Sequence, residues 1–188
     1  GGVAILAHPY RSALTAHDML SFSGYIGIEV FNATSHFEPD RGYAVSHWDD
    51  LLNRDRKVYG FAVDDAHYSY DPYCPVDICV GFIMVRCSEL SSTHIIEALK
   101  KGLFYSSNGP EIRDIRFEGD EITVETSPVR SISFISFKGT GRKFTETRGK
   151  LLTGARFELT DRHRKYIRIE CCDAGGNRAF ANPVWIER

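Results

Sequence analysis

The sequence has 188 residues, 43% hydrophobic and 26% charged, with a net charge of -2. That composition suits a globular protein with one large domain or two small ones. It gives no electrostatic drive toward nucleic acid or an anionic membrane surface, and no apolar stretch reaches the roughly 18 residues of a membrane span.

The sequence goes from Gly1-Gly2 straight into an apolar run, with no signal-peptide pattern and no initiator Met, and is expected to be a piece of a longer protein. That run, GGVAILA (1–7), reads as a strand buried on both faces. A helix follows, with Thr15 as N-cap and Gly24 as stop. YIGIEVFN (25–32) is a second strand. Residues 40–57 place Tyr43, Val45, Trp48, Leu51 and Leu52 at helical spacing. VYGFAV (58–63) and ICVGFIMVRC (78–87) are the third and fourth strands. Residues 91–102 form a helix with a Ser or Thr cap, an apolar face of Ile95, Ile96 and Leu99, and Gly102 just past its end. Strand–helix alternation of this kind predicts parallel βαβ units.

The helical period disappears after YSSNGP (105–110). Period-two segments of about ten residues take over, separated by Gly, Asp-Arg and Pro, which predicts an antiparallel β-sandwich. Asn108-Gly109-Pro110 is the expected hinge, dividing an α/β part (1–109) from a β part (110–188). The cysteines, Cys74, Cys79, Cys87, Cys171 and Cys172, are odd in number with two adjacent. That is a poor disulfide framework, and it predicts free thiols in the cytoplasm. A Cys74–Cys79 loop pairing is the alternative for an exported chain.

In a parallel α/β sheet the C-terminal strand ends share one rim, where ligands bind. The first strand ends in His8-Pro9, the second in Glu29 and Asn32, the third in Asp64, Asp65 and His67. Imidazole and carboxylate together suit Zn2+, Mn2+ or Fe2+. Pro9 disfavours helical geometry at His8. In extended backbone, Asp65 and His67 would point to the same side. Arg11, on the loop after His8, is placed to grip an anion. His17, His47 and His94 read as helix-face or cap residues, and His163 as a solvated turn residue. His36 lies in a loop that could approach the rim.

GGVAILAHP, GIEVFN, GFAVDDAH and IIEALKKGLFYSSNGPEI, in that order, resemble the PHP (polymerase and histidinol phosphatase) superfamily. The resemblance covers roughly residues 1–110. It implies the C-terminal half of a distorted (β/α)7 barrel carrying two or three divalent ions (Zn2+, Mn2+, Fe2+ or Mg2+). It also implies hydrolysis of a small phosphorylated substrate by metal-activated water. His8, Asp65 and His67 would be metal ligands, with Glu29, Asn32 and Asp64 supporting them and Arg11 on the substrate. No catalytic side chain is assigned. The family's opening His-x-His motif is absent, so the cluster is expected to be incomplete and this chain alone inactive. The open barrel edge would be covered by an N-terminal part of the same protein or by self-association. The alternative reading is a non-catalytic interaction or carbohydrate-binding module built on the sandwich. Phe134, Phe137, Phe157, Tyr166 and Trp185 are its available aromatics, though their alternation places most of them in the core.

Overall fold

A computed structural model describes residues 2–68, 73, 76–163 and 165–186. The chain divides into two compact units, Gly1–Asn108 and Gly109–Arg188. Among the described residues, thirteen strands stand against four α-helices, and no (β/α)7 barrel or half barrel is present. The α/β barrel expectation is therefore wrong. The reason lies in how few of the strands of the first unit pair in parallel.

In that unit, β1 (Ala4–Leu6), β2 (Tyr25–Asn32) and β3 (Tyr59–Val63) form one parallel sheet in the order β1-β2-β3. The barrel needed a fourth parallel strand over 78–87. Instead β4 (Phe82–Val85) is short and runs antiparallel to β5 (Phe104–Ser107), which ends just before the expected hinge at Asn108-Gly109-Pro110. Its neighbour is the strand that follows α4 (Ser92–Lys100) directly in sequence. β1 is also not the doubly buried strand expected, because Ala4 and Ile5 are exposed, and among the described residues β1 pairs only with β2.

The parallel sheet buries both faces of β2 and β3 unequally. On one face α3 (Val45–Asn53) packs Trp48, Leu51 and Leu52 into the core beside Ile28 and Val30, and the Trp48 indole donates to the Val58 carbonyl at 3.1 Å. Gly60 makes this approach possible: a Cβ there would lie 2.8 Å from a Val30 methyl and 3.0 Å from the Trp48 ring. On the other face Phe61 packs with Leu99 and Phe104, joined by Ile83, Val85, Ile95 and Ile96. Burial of such side chains contributes about 1.5–3 kcal/mol each. The capping box at Thr15 opens α1 (Ala16–Ser21), and the Ser91 hydroxyl caps α4. α2 (Ala33–Phe37), capped by Asn32, occupies a stretch expected to be loop.

The second unit is antiparallel throughout. Its strands are β6 (Ile112–Glu118), β7 (Glu121–Val129), β8 (Ser131–Ser136), β9 (Gly141–Thr145), β10 (Leu152–Glu158), β11 (Lys165–Cys172), β12 (Arg178–Ala181) and β13 (Val184–Ile186). One ladder runs β10-β7-β6 and another β12-β11-β8-β9, with β13 also on β11. The ladders meet over a core where Phe134 and Phe157 stack at 4.9 Å beside Ile122, Val124 and Ile169. Tyr166 is buried too, while Phe137 and Trp185 are half-buried, so these five aromatics do not form an exposed binding face. His163 is not solvated as expected. It is 8% exposed, lies against Phe157, and its Nδ1 accepts the Thr160 amide at 2.9 Å.

Among the described residues, Cys79, Cys87, Cys171 and Cys172 form no disulfide. Cys74 lies outside the described residues, and with it any Cys74–Cys79 pairing. Among the described residues no helix is long and apolar enough to cross a membrane.

Candidate functional site

His8, Arg11, Thr34, Glu38, Asp65 and His67 line one cleft of about 260 Å³ in the first unit. Three strand ends supply it, but none does so in the simple extended form expected. β1 stops at Leu6, and His8 sits at φ 27, in the left-handed region. β3 stops at Val63, and Asp65 is left-handed as well, at φ 51. Non-glycine residues persist in that region only where surrounding contacts hold them.

Those contacts come mostly from β2. Glu29 Oε2 accepts the His8 backbone N–H at 2.7 Å and an Asn32 side-chain N–H at 2.9 Å. The same Asn32 amide donates to Asp65 Oδ2 at 3.1 Å, while its oxygen caps α2 through the Ser35 N–H at 2.8 Å. Glu29 and Asn32 thus tie the ends of β1 and β3 to the strand between them. The loop past β3 has its own supports. Thr34 donates its amide to the Asp64 carbonyl at 3.1 Å, and its hydroxyl lies 2.7 Å from the Asp65 carbonyl. That hydroxyl is also 2.9 Å from Asp77 Oδ2, which accepts the His67 amide at 2.8 Å.

The two histidines are oriented through one ring nitrogen each. His8 Nδ1 is 2.9 Å from the Ser12 hydroxyl. His67 Nδ1 meets the Asp65 carbonyl. A carbonyl only accepts, so the Nδ1 proton serves this contact, and in a neutral ring Nε2 is then the nitrogen with the lone pair. Anchoring one imidazole nitrogen to leave the other as a donor atom is how metal-binding histidines are commonly held. A divalent cation therefore fits the chemistry of this set. The spacing as placed does not close around an ion: among the described residues, no three His, Cys, Asp or Glu side chains stand together as a metal group.

Arg11 lies on the turn after His8, braced by the Ser12 amide donating to the His8 carbonyl and the Leu14 amide to the Pro9 carbonyl. Its guanidinium reaches Glu38 Oε2 at 2.7 Å across the cleft mouth. No family model matches this chain, and neither a curated protein nor a solved structure does.

Asp64, read from the sequence as a helper of the ligands, points away from them. Its carboxylate accepts the backbone amides of Cys79, Val80 and Gly81 at 2.6, 2.8 and 2.7 Å. It pins the segment before β4 against β3, where a Cβ at Gly81 would lie 2.4 Å from the Val63 carbonyl. His36 is not a cleft residue; it packs among Phe31, Phe37 and Tyr43. His47 faces the Tyr10 ring, and His94 Nδ1 meets the cap hydroxyl of Ser91.

Sequence reasoning missed Ser12, Thr34, Glu38 and Asp77. Of these, Asp77 left a signal. It is an acid between Val76 and Ile78, the same break in an apolar setting that singled out Asp64 and Asp65. It is fully buried, and a buried carboxylate needs donors.

Proposed function

We propose that this cleft is the substrate-binding part of a metal-dependent hydrolase acting on a phosphoester. The observation that carries the reading is the gathering of His8, Asp65 and His67 with Arg11 around one cleft, from sequence positions up to 59 apart. Arg11 offers the phosphate a planar, two-pronged donor. Asp65 and the Nε2 atoms of His8 and His67 offer one anionic and two imidazole donors to a divalent ion. When bound, such an ion lowers the pKa of water and offsets charge on the phosphoryl oxygens. Glu29 and Asn32 keep the donors at the cleft, and Asp77 holds the backbone that carries His67. The three donors do not close around one ion by themselves, so weak metal binding and little turnover are expected of this chain alone. Donors from an N-terminal part of the protein or from a second copy would complete the set. An exposed free thiol at Cys87 agrees with a cytoplasmic setting.

The test is a Mn2+ titration of the purified chain followed by electron paramagnetic resonance, repeated on Asp65→Ala and His67→Ala. Binding weakened at least tenfold in both variants supports the reading. Binding unchanged in both overturns it.

A further inference from the structure

Glu38 stands where an incoming anion would have to bind. Its Oε2 is 2.7 Å from Arg11 Nη1, and both side chains line the cleft. The partners come from separate elements, 27 residues apart. Arg11 is carried by the turn after β1, and Glu38 is the C-cap of α2, its amide donating to the Thr34 carbonyl at 3.0 Å. Their side chains are 39% and 37% exposed, so the pair itself is weak and can open. The Glu38 backbone cannot leave with it. A phosphate that takes over Arg11 therefore keeps the displaced carboxylate as a near neighbour, with Asp65 as a second carboxylate lining the cleft.

Resting on the reading of the cleft as a phosphoester site, we propose that Glu38 is a specificity-determining residue that selects a monoanionic phosphodiester over a dianionic phosphomonoester. Arg11 is the only cation lining the cleft among the described residues. In the metal-free cleft each charge beyond the first is attracted by Arg11 but repelled by both Glu38 and Asp65, so the carboxylates outweigh the guanidinium and the repulsion from Glu38 grows with every added charge. For a partly exposed carboxylate about 4 Å away, that repulsion amounts to roughly fivefold in affinity per added charge.

The experiment compares two metal-free probes at pH 8, inorganic phosphate as the dianion and dimethyl phosphate as the monoanion, by 31P line broadening on the chain. It is run on wild type, Glu38→Gln, Glu38→Ala and Arg11→Ala. Wild type is expected to prefer dimethyl phosphate. Both Glu38 variants should gain affinity for both probes, with the gain about fivefold larger for inorganic phosphate. Arg11→Ala should lose both. Having two Glu38 variants, each checked for a wild-type melting curve, guards against a folding artefact in one. A probe ratio that stays within about twofold of wild type in both Glu38 variants overturns the inference and leaves the anion site standing. Absence of binding by wild type, or binding that survives in Arg11→Ala, overturns the anion site and the inference with it.

Discussion

Asp77 and His67 are joined through the backbone, not through the imidazole. Asp77, fully buried, accepts the His67 amide on Oδ2 at 2.8 Å, with the Thr34 hydroxyl 2.9 Å from the same oxygen. One carboxylate thus supports two residues of the cleft wall and leaves the His67 ring unconstrained on its Nε2 side.

Replacing Asp77 should therefore loosen the cleft before it affects the sheet. Asp77→Ala leaves the His67 amide without its acceptor, at a cost of about 1–3 kcal/mol. Asp77→Asn keeps an acceptor oxygen and should cost less. Urea melts give the stability change. Amide hydrogen exchange at His67 gives the local one, and it should accelerate in Asp77→Ala far more than exchange in β2.

Asp64 serves the fold, so its loss should be felt away from the cleft. Asp64→Ala strands three amides at Cys79, Val80 and Gly81 and should destabilise the unit by about 2–3 kcal/mol, tempered by the partial exposure of that segment. Amide exchange at those three positions should rise together. If Asp64→Ala instead weakened Mn2+ binding with no change in exchange there, Asp64 would belong to the metal set after all.

Glu29 and Asn32 hold the strand ends that carry His8 and Asp65. Glu29→Ala removes the acceptor of the His8 amide, and Asn32→Ala removes the bridge to Asp65 and the cap of α2. Supports of this kind typically matter by about 10–100-fold in metal affinity. Mn2+ titrations of both variants should show losses in that range. Glu97→Ala, on a helix that supplies no cleft residue, should show none.

Cys171 gives the second unit a pH dependence of known sign. Burial, with smaller contributions from Glu170 and Cys172, pushes its thiol from 9.0 up to about 12. Below pH 9 both folded and unfolded chains hold the proton, and this group adds no slope. Between pH 9 and 12 the unfolded chain has released it and the folded one has not. The unfolded state then binds fewer protons, and stability falls as pH rises, by up to about 1.4 kcal/mol per pH unit. Urea midpoints measured from pH 7 to 10.5 should fall more steeply above pH 9 in wild type than in Cys171→Ala. Parallel curves would show that the thiol does not contribute.

Local chemistry was legible in the amino-acid sequence wherever a decision rested on near neighbours. The apolar runs at 25–32 and 58–63 contain β2 and β3, Thr15 caps α1, and Ser91 caps α4. Of the polar residues that end the runs 1–7 and 58–63, His8, Asp65 and His67 reach the cleft. Pairing direction was not legible. The apolar pattern of 78–87 fits a parallel or an antiparallel neighbour equally, because side-chain alternation says nothing about which way the adjacent strand runs. Packing set β4 against β5, and that replaced the expected barrel with a three-stranded parallel sheet beside an antiparallel pair. Tertiary structure likewise decided the roles of Asp64, Asp77 and Glu38. Each carboxylate could cap a turn, hold a metal or pair a cation. The choice fell to partners 10 to 27 residues away: the amides of 79–81, the amide of His67 and the guanidinium of Arg11. A carboxylate's chemistry is set by its residue type, but the donors that satisfy it are supplied by the fold.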